Sequence, residues 1–196
     1  MCRTDIMSVT NRRLCGRPFL EQIERVCALR PAAIILREKD LTPEEYGRLG
    51  AQVLEVCRAW GVDCIYHSFV EEARKAGVRR IHLPLARLEA LAKDRTPGGT
   101  SPLADFDVIG ASIHSAEEAA RAEALGAAYV TAGHIYATDC KQGLPPRGLD
   151  FLEEVCRAVD IPVWAIGGIG LDGGQIAEVK ARGAAGACVM SGMMRV

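Results

Sequence analysis

Short apolar runs rich in β-branched and small residues recur along this chain, and a segment of helical periodicity follows nearly every one. That alternation constrains the fold more than any other feature, because strands separated by helices must run parallel and be covered on both faces. The runs predict strands at Met7–Leu14, Ala32–Lys39, Asp63–Ser68, Arg79–Leu83, Asp107–His114, Ala128–Thr138, Pro162–Gly168 and Gly186–Ser191. Eight strand–helix units in 196 residues leave roughly 24 residues each, which suits one compact α/β domain, a (β/α)8 TIM barrel at the small end of its range.

The helix boundaries are written plainly. Thr42-Pro43-Glu44-Glu45 supplies an N-cap, a proline at the first helical position and a capping-box glutamate. Tyr46, Leu49, Val53, Cys57 and Trp60 then follow at helical spacing, with Gly61 as the stop. Ser115 and Glu118 predict a second capping box closed by Gly126, and Gly77 and Gly183 close two further helices. Asp94–Phe106, rich in Gly, Pro, Ser and Thr, reads as a loop entering a strand, on the barrel face away from the chemistry. The chain ends at Val196, almost directly after the eighth predicted strand, so the last helix of a complete barrel is expected to be missing. Three outcomes are open: a partner subunit covers the gap, the first helix shifts, or more chain follows. An uncovered apolar flank beside the first and eighth strands would favour self-association, and a homodimer is the expected form.

Composition excludes several classes. Lys plus Arg number 24 against 25 Asp plus Glu, without the basic excess that nucleic acid demands. No apolar run approaches the ~20 residues of a membrane span, and the start, Met1-Cys2-Arg3-Thr4-Asp5, lacks the apolar core of a signal peptide. A cytoplasmic protein is therefore expected. The eight cysteines contain no Cys-x-x-Cys pair; in a reducing compartment they are thiols, and Cys57, Cys156, Cys64 and Cys188 stand where small hydrophobes belong.

Barrel chemistry sits at the C-terminal ends of the strands. Those ends offer Thr10 and Asn11, Arg37 and Lys39, His67 and Ser68, His82, Ser112 and His114, His134, Thr138 and Lys141, Gly167 and Gly168, and Ser191 and Gly192. This set is cationic and rich in imidazole, which suits an anionic small molecule such as a phosphate ester. Gly167-Gly168 and Ser191-Gly192 fall on the last two strands, where barrels place a phosphate cup; two tight turns needing positive φ would use the same residues. Arg37 and Lys39 share parity and either face the mouth together or form a solvated charge run. His134 lies in Gly133-His134-Ile135-Tyr136-Ala137-Thr138-Asp139-Cys140-Lys141, a run that opens into a Gly/Pro-rich loop able to cover the mouth. A strand histidine is either a proton-transfer group or a satisfied core group.

At these residues the chain resembles the thiamine phosphate synthase/thiazole tautomerase superfamily. The resemblance runs from Leu36-Arg37-Glu38-Lys39 to Val189-Met190-Ser191-Gly192, and its most specific stretches are Ile109–His114, Gly133–Lys141 and Ala165–Ile169. It implies the same compact barrel. The synthase branch joins a pyrimidine diphosphate to a thiazole phosphate with Mg²⁺, using Asn-Asp after strand three and Gly-Gln-x-Asp after strand four. Here those places read His67-Ser68 and Pro84-Leu85-Ala86-Arg87, and Ile35 replaces a glutamine that grips the pyrimidine. Where the synthase has Pro after Gly on strand six, this chain has His134.

A histidine there resembles the thiazole tautomerase branch, an isomerase that aromatises a carboxythiazole phosphate by moving a proton, with no metal, nucleotide or redox cofactor. The resemblance makes His134 the proton shuttle. Lys39 matches a substrate-facing lysine that steadies a carboxylate or acts as a second acid–base group. Gly168, Ser191 and Gly192 match the phosphate cup, with Gly167 beside them as a further substrate-binding residue, Thr138 and Lys141 match the strand-six loop, and Arg37 serves the carboxylate or the barrel rim. The synthase itself and a non-catalytic regulatory barrel are the alternatives.

Overall fold

The computed structural model describes residues 3–93, 101–138 and 143–196. Eight parallel strands close into a barrel in sequential order. They are β1 (Arg3–Val9), β2 (Pro31–Leu36), β3 (Cys64–His67), β4 (Arg80–Pro84), β5 (Val108–Ile113), β6 (Tyr129–Gly133), β7 (Val163–Ile166) and β8 (Gly186–Val189). The helices are α1 (Phe19–Ala28), α2 (Pro43–Trp60), α3 (Val70–Lys75), α4 (Leu85–Lys93), α5 (Ala116–Ala124), α6 (Gly148–Ala158) and α7 (Gly174–Ala181). β1 pairs with β8 through Ile6–Ala187, Met7–Cys188 and Ser8–Val189, which removes every open edge.

Strand alternation divides the core in two. Met7, Val9, Ala33, Ile35, Ile65, Tyr129, Trp164 and Cys188 fill the barrel interior. Their neighbours, such as Ile6, Ile34, Leu36, Tyr66, Ala111 and Val130, point outward into the layer under the helices. Cys57 and Cys156 lie on α2 and α6, and Cys64 and Cys188 on strands, as expected. Among the described residues no helix is long and apolar enough to cross a membrane.

The α2 capping box forms as predicted: Thr42 Oγ1 accepts from the Glu45 amide at 3.3 Å, and Glu45 accepts from the Thr42 amide at 2.9 Å. Gly61 ends the helix at φ +65°. Only half of the second box forms. Ser115 Oγ caps the Glu118 amide at 3.1 Å, but Glu118 reaches past Ser115 to the His114 amide at 2.6 Å, and so fastens the end of β5 to α5.

Three predicted strands are corrected. β1 begins at Arg3 and stops at Val9, because Asn11 accepts from the Arg13 amide and folds Arg12–Leu14 into a 3-10 turn. β2 stops at Leu36, leaving Arg37 to Lys39 in the loop that follows. β6 stops at Gly133, because His134 turns to φ +66°, and the amides of Ile135 and Tyr136 then donate to the carbonyls of Ile166 and Gly167. The loop predicted at Asp94–Phe106 lies partly outside the described residues; its described end buries Leu103 and Phe106.

Among the described residues no α-helix follows β8. A 3-10 turn at Met193–Arg195 takes that place, with Met193 and Met194 fully buried. Buried Gln22 of α1 donates to the Met193 carbonyl at 2.8 Å and locks the turn onto the first helix. The flank expected to stand bare is thus filled from within the chain. Among the described residues the exposed large hydrophobics are Trp60 and Leu144, which lie on α2 and in the β6–α6 connection.

Candidate active site

The C-terminal ends of the strands surround one cavity of about 510 Å³. Its wall brings together Arg37, Lys39, His134, Thr138, Gly167, Gly168 and Ser191, all singled out from the sequence. Gly192 stands behind Ser191 with ordinary helical φ (−61°) and does not line the cavity. Lys141 lies outside the described residues. The wall also holds His67, His82, Ser112, His114 and Arg195. Four of these are strand-end residues that the sequence displays without a role. Arg195, on the closing 3-10 turn, carries no sequence signal beyond its charge.

Arg37 and Lys39 both face the cavity because the residue between them is held the other way. Glu38 is buried, and it accepts from Thr10 Oγ1 at 2.7 Å, from the Arg12 amide at 3.0 Å and from Arg12 Nη1 at 3.0 Å. Thr10 Oγ1 in turn accepts from the Arg37 amide at 2.8 Å. The one carboxylate of this segment is therefore paired with Arg12 outside the cavity, and Arg37 and Lys39 are left on the cavity wall. Arg12 also grips Asp40 at 2.7 Å and holds that carboxyl well below its usual range. Burial, and then the adjacent Arg37, lower the Lys39 ammonium. Tyr46 completes the frame: its hydroxyl donates to the Leu36 carbonyl at 2.6 Å and accepts from the His67 amide at 2.9 Å, tying the ends of β2 and β3.

His67 and His82 stack with ring centroids 5.6 Å apart. His82 meets the Tyr129 hydroxyl at 3.0 Å and Ser112 Oγ at 2.8 Å, while His67 Nδ1 meets Ser68 Oγ at 2.8 Å. Burial pushes His82 down to about 3, with Lys39 and Arg37 adding to the effect. Burial also pushes His67 down to about 2, helped by His82 and the same cations. Both rings are neutral in the folded protein near pH 7.

This has a consequence for stability. In the unfolded chain both rings titrate near 6.5, so below that pH the unfolded state binds protons that the native state refuses. Stability is then fully present above about pH 7 and falls as the pH drops through 6, by up to about 2.7 kcal/mol per unit for two histidines. Urea unfolding at pH 7, 6 and 5 should show that slope, and His82→Gln should roughly halve it. A wild-type stability that is flat from pH 7 to pH 5 would contradict two buried neutral imidazoles.

His134 is the buried residue on which the β6 end turns. Its φ of +66° is uncommon for a side chain with a Cβ and is held from two sides. Its carbonyl accepts from the Arg147 amide at 2.8 Å. Opposite, a Cβ on Gly167 would stand 2.8 Å from the His134 Cα, so only glycine lets β7 come this close. Gly168, at φ +71°, leaves even less room: a Cβ there would lie 2.2 Å from the Ala137 carbonyl oxygen. The glycine pair therefore has a packing role, and it also lines the cavity beside Ile169, Met190 and Ser191. The pair makes the tight turns its positive φ values demand, and it does so on the cavity wall.

The wall carries cations, imidazoles and hydroxyls, and among the described lining residues there is no carboxylate. No cluster of three or more His, Cys, Asp or Glu among the described residues is arranged to hold a metal ion. What the arrangement can do is bind an anion, exclude water from much of it, and move a proton at an imidazole.

A family model described as "Thiamine monophosphate synthase" matches residues 6–193. The thiamine-phosphate synthase of Methanoregula boonei is 34% identical over 194 residues, covering 98% of this chain and 86% of that protein. That of Fusobacterium nucleatum is 27% identical, with 96% and 88% covered. Among solved structures, a thiamine phosphate pyrophosphorylase from Pyrococcus furiosus superposes with a TM-score of 0.78 at 28% identity, covering 97% of this chain and 87% of that one.

Proposed function

This chain belongs to the thiamine monophosphate synthase (TMP-TENI) family of thiamine biosynthesis, and within it we propose that the protein is a thiazole tautomerase. The observation that carries the reading is a buried histidine, His134, at the wall of a cavity whose described lining has cations and imidazoles but no carboxylate. The substrate is a carboxythiazole phosphate whose ring is not yet aromatic and bears an exocyclic double bond. His134 takes the proton from ring carbon C2. The electron pair of that C–H bond moves through the ring, and the exocyclic carbon receives a proton back from the imidazolium. One C–H bond breaks, one forms, and the imidazole is regenerated.

The remaining wall residues bind and orient. Gly167, Gly168 and Ser191 form the rim that receives the phosphate, with Arg195 beside it. Arg37 and Lys39 stand ready for the ring carboxylate. The small-molecule phosphate is the partner proposed.

The names of the curated relatives favour a second reading, coupling of a pyrimidine diphosphate to a thiazole phosphate. That reaction calls for Mg²⁺, a hard cation that prefers oxygen ligands. The described wall does not fit it: Ser68 and Arg87 stand where the synthase branch has aspartates, and Arg87 is exposed on α4. Tautomerisation is expected to continue unchanged in excess EDTA, and pyrimidine diphosphate plus thiazole phosphate and Mg²⁺ should give no thiamine phosphate. Robust Mg²⁺-dependent coupling would establish the synthase instead.

A further inference from the structure

The β6–α6 connection leaves the barrel after His134 and returns at Arg147, immediately before α6. Arg147 is exposed and does not line the cavity, yet two of its groups make three contacts with residues that do. Its backbone amide donates to the His134 carbonyl at 2.8 Å. Its Nη1 donates to the Gly133 carbonyl at 3.2 Å and lies 3.2 Å from His114 Nδ1. The guanidinium rests over the Phe151 ring, 5.3 Å from its centroid, which limits where it can swing. The His114 ring packs on the same strand end, because a Cβ on Gly133 would sit 3.4 Å from its Cε1 and Nδ1.

A guanidinium has only donors. An imidazole nitrogen that meets it as an acceptor must offer a lone pair, which calls for an unprotonated His114 Nδ1 and a ring proton on Nε2. An imidazolium, with a proton on both nitrogens, would oppose the contact. We propose that Arg147 is a positioning residue that fixes His114 as the neutral Nε2–H tautomer and holds the Gly133–His134 backbone from which the shuttle imidazole enters the cavity. His114, one residue beyond β5 and on the cavity wall, is thereby a hydrogen-bond donor of defined orientation beside His134. The tautomer is inferred from this contact and does not depend on the tautomerase reading. Its effect on turnover rests on the tautomerase reading.

Long-range ¹H–¹⁵N correlation spectra of the full chain, with His114 assigned through His114→Gln, report the tautomer without any substrate. The wild type is expected to show Nδ1 as acceptor and Nε2 as protonated at pH 7.5. Arg147→Ala should redistribute the ring proton between the two nitrogens while the protein stays folded. With the carboxythiazole phosphate tautomer, the same variant should lose roughly tenfold to hundredfold in kcat, as small misplacements of reacting groups do, with KM changed less than about twofold. A wild-type His114 protonated on Nδ1, or a tautomer unchanged by Arg147→Ala, would overturn the proposal. So would a variant whose KM rises while kcat holds. If the wild type turns over no thiazole, the tautomerase reading fails while the spectra still decide the role of Arg147.

Discussion

Replacing His134 with glutamine should lower thiazole tautomerisation by about 10²–10⁴-fold, the range a general acid–base group supplies. Glutamine keeps a polar side chain of similar reach but cannot take a proton from carbon and return it. The cavity and its cations remain, so affinity for the phosphate should change little, and the loss should fall on kcat. The left-handed backbone at this position is unfavourable for histidine and glutamine alike, so stability should stay close to wild type. Steady-state rates set beside a urea melt separate the two effects. A variant with near-normal turnover would remove His134 from the mechanism.

The second large effect is expected at Gly168. Alanine there must adopt φ +71° and place its Cβ 2.2 Å from the Ala137 carbonyl. The backbone conformation alone costs about 1–2 kcal/mol, and relieving the overlap adds about 1–3 kcal/mol. The β6 loop has to move outward and carry Thr138 away from the cavity wall, so activity and stability should fall together. Gly61 is the control: it has φ +65°, with nothing within 4 Å of a built Cβ. Gly61→Ala should cost about 1 kcal/mol and leave turnover intact. Equal stability and equal activity for the two variants would show that the close approach of the β6 and β7 ends is unimportant.

These residues also show how far the sequence could be read. The eight strands and their parallel order were legible because both faces of a barrel strand are covered, which leaves apolar runs that local helix caps punctuate. Strand ends were misplaced where a side chain or an unusual torsion interrupts the ladder. Asn11 turns the chain after β1, and His134 bends β6 away from its apolar continuation Ile135-Tyr136. Neither event leaves a pattern in hydrophobicity. Likewise, the packing of the Met193–Arg195 turn against α1 is anchored by Gln22, 171 residues from Met193 in the chain.

The site divides in the same way. His134, Lys39, Gly167, Gly168 and Ser191 were legible from strand-end position and motif. The sequence left the inward pairing of Arg37 and Lys39 open against a solvated charge run, and its cause, Glu38 held by Thr10 and Arg12 beyond the end of β1, is invisible locally. The contact of Arg147 with His114 spans 33 residues and depends on how a loop returns to the barrel. Arg195 reaches the cavity only because the closing turn packs on α1.

The central claim is proton transfer without metal, and one assay addresses it directly. Purified protein is mixed with the carboxythiazole phosphate tautomer in excess EDTA, and the absorbance of the aromatic thiazole is followed for the wild type and His134→Gln. Rapid growth of the aromatic chromophore with the wild type, slowed at least about a hundredfold in the variant, is the predicted result. Aromatisation no faster than in buffer alone, or equally fast with both proteins, would contradict it.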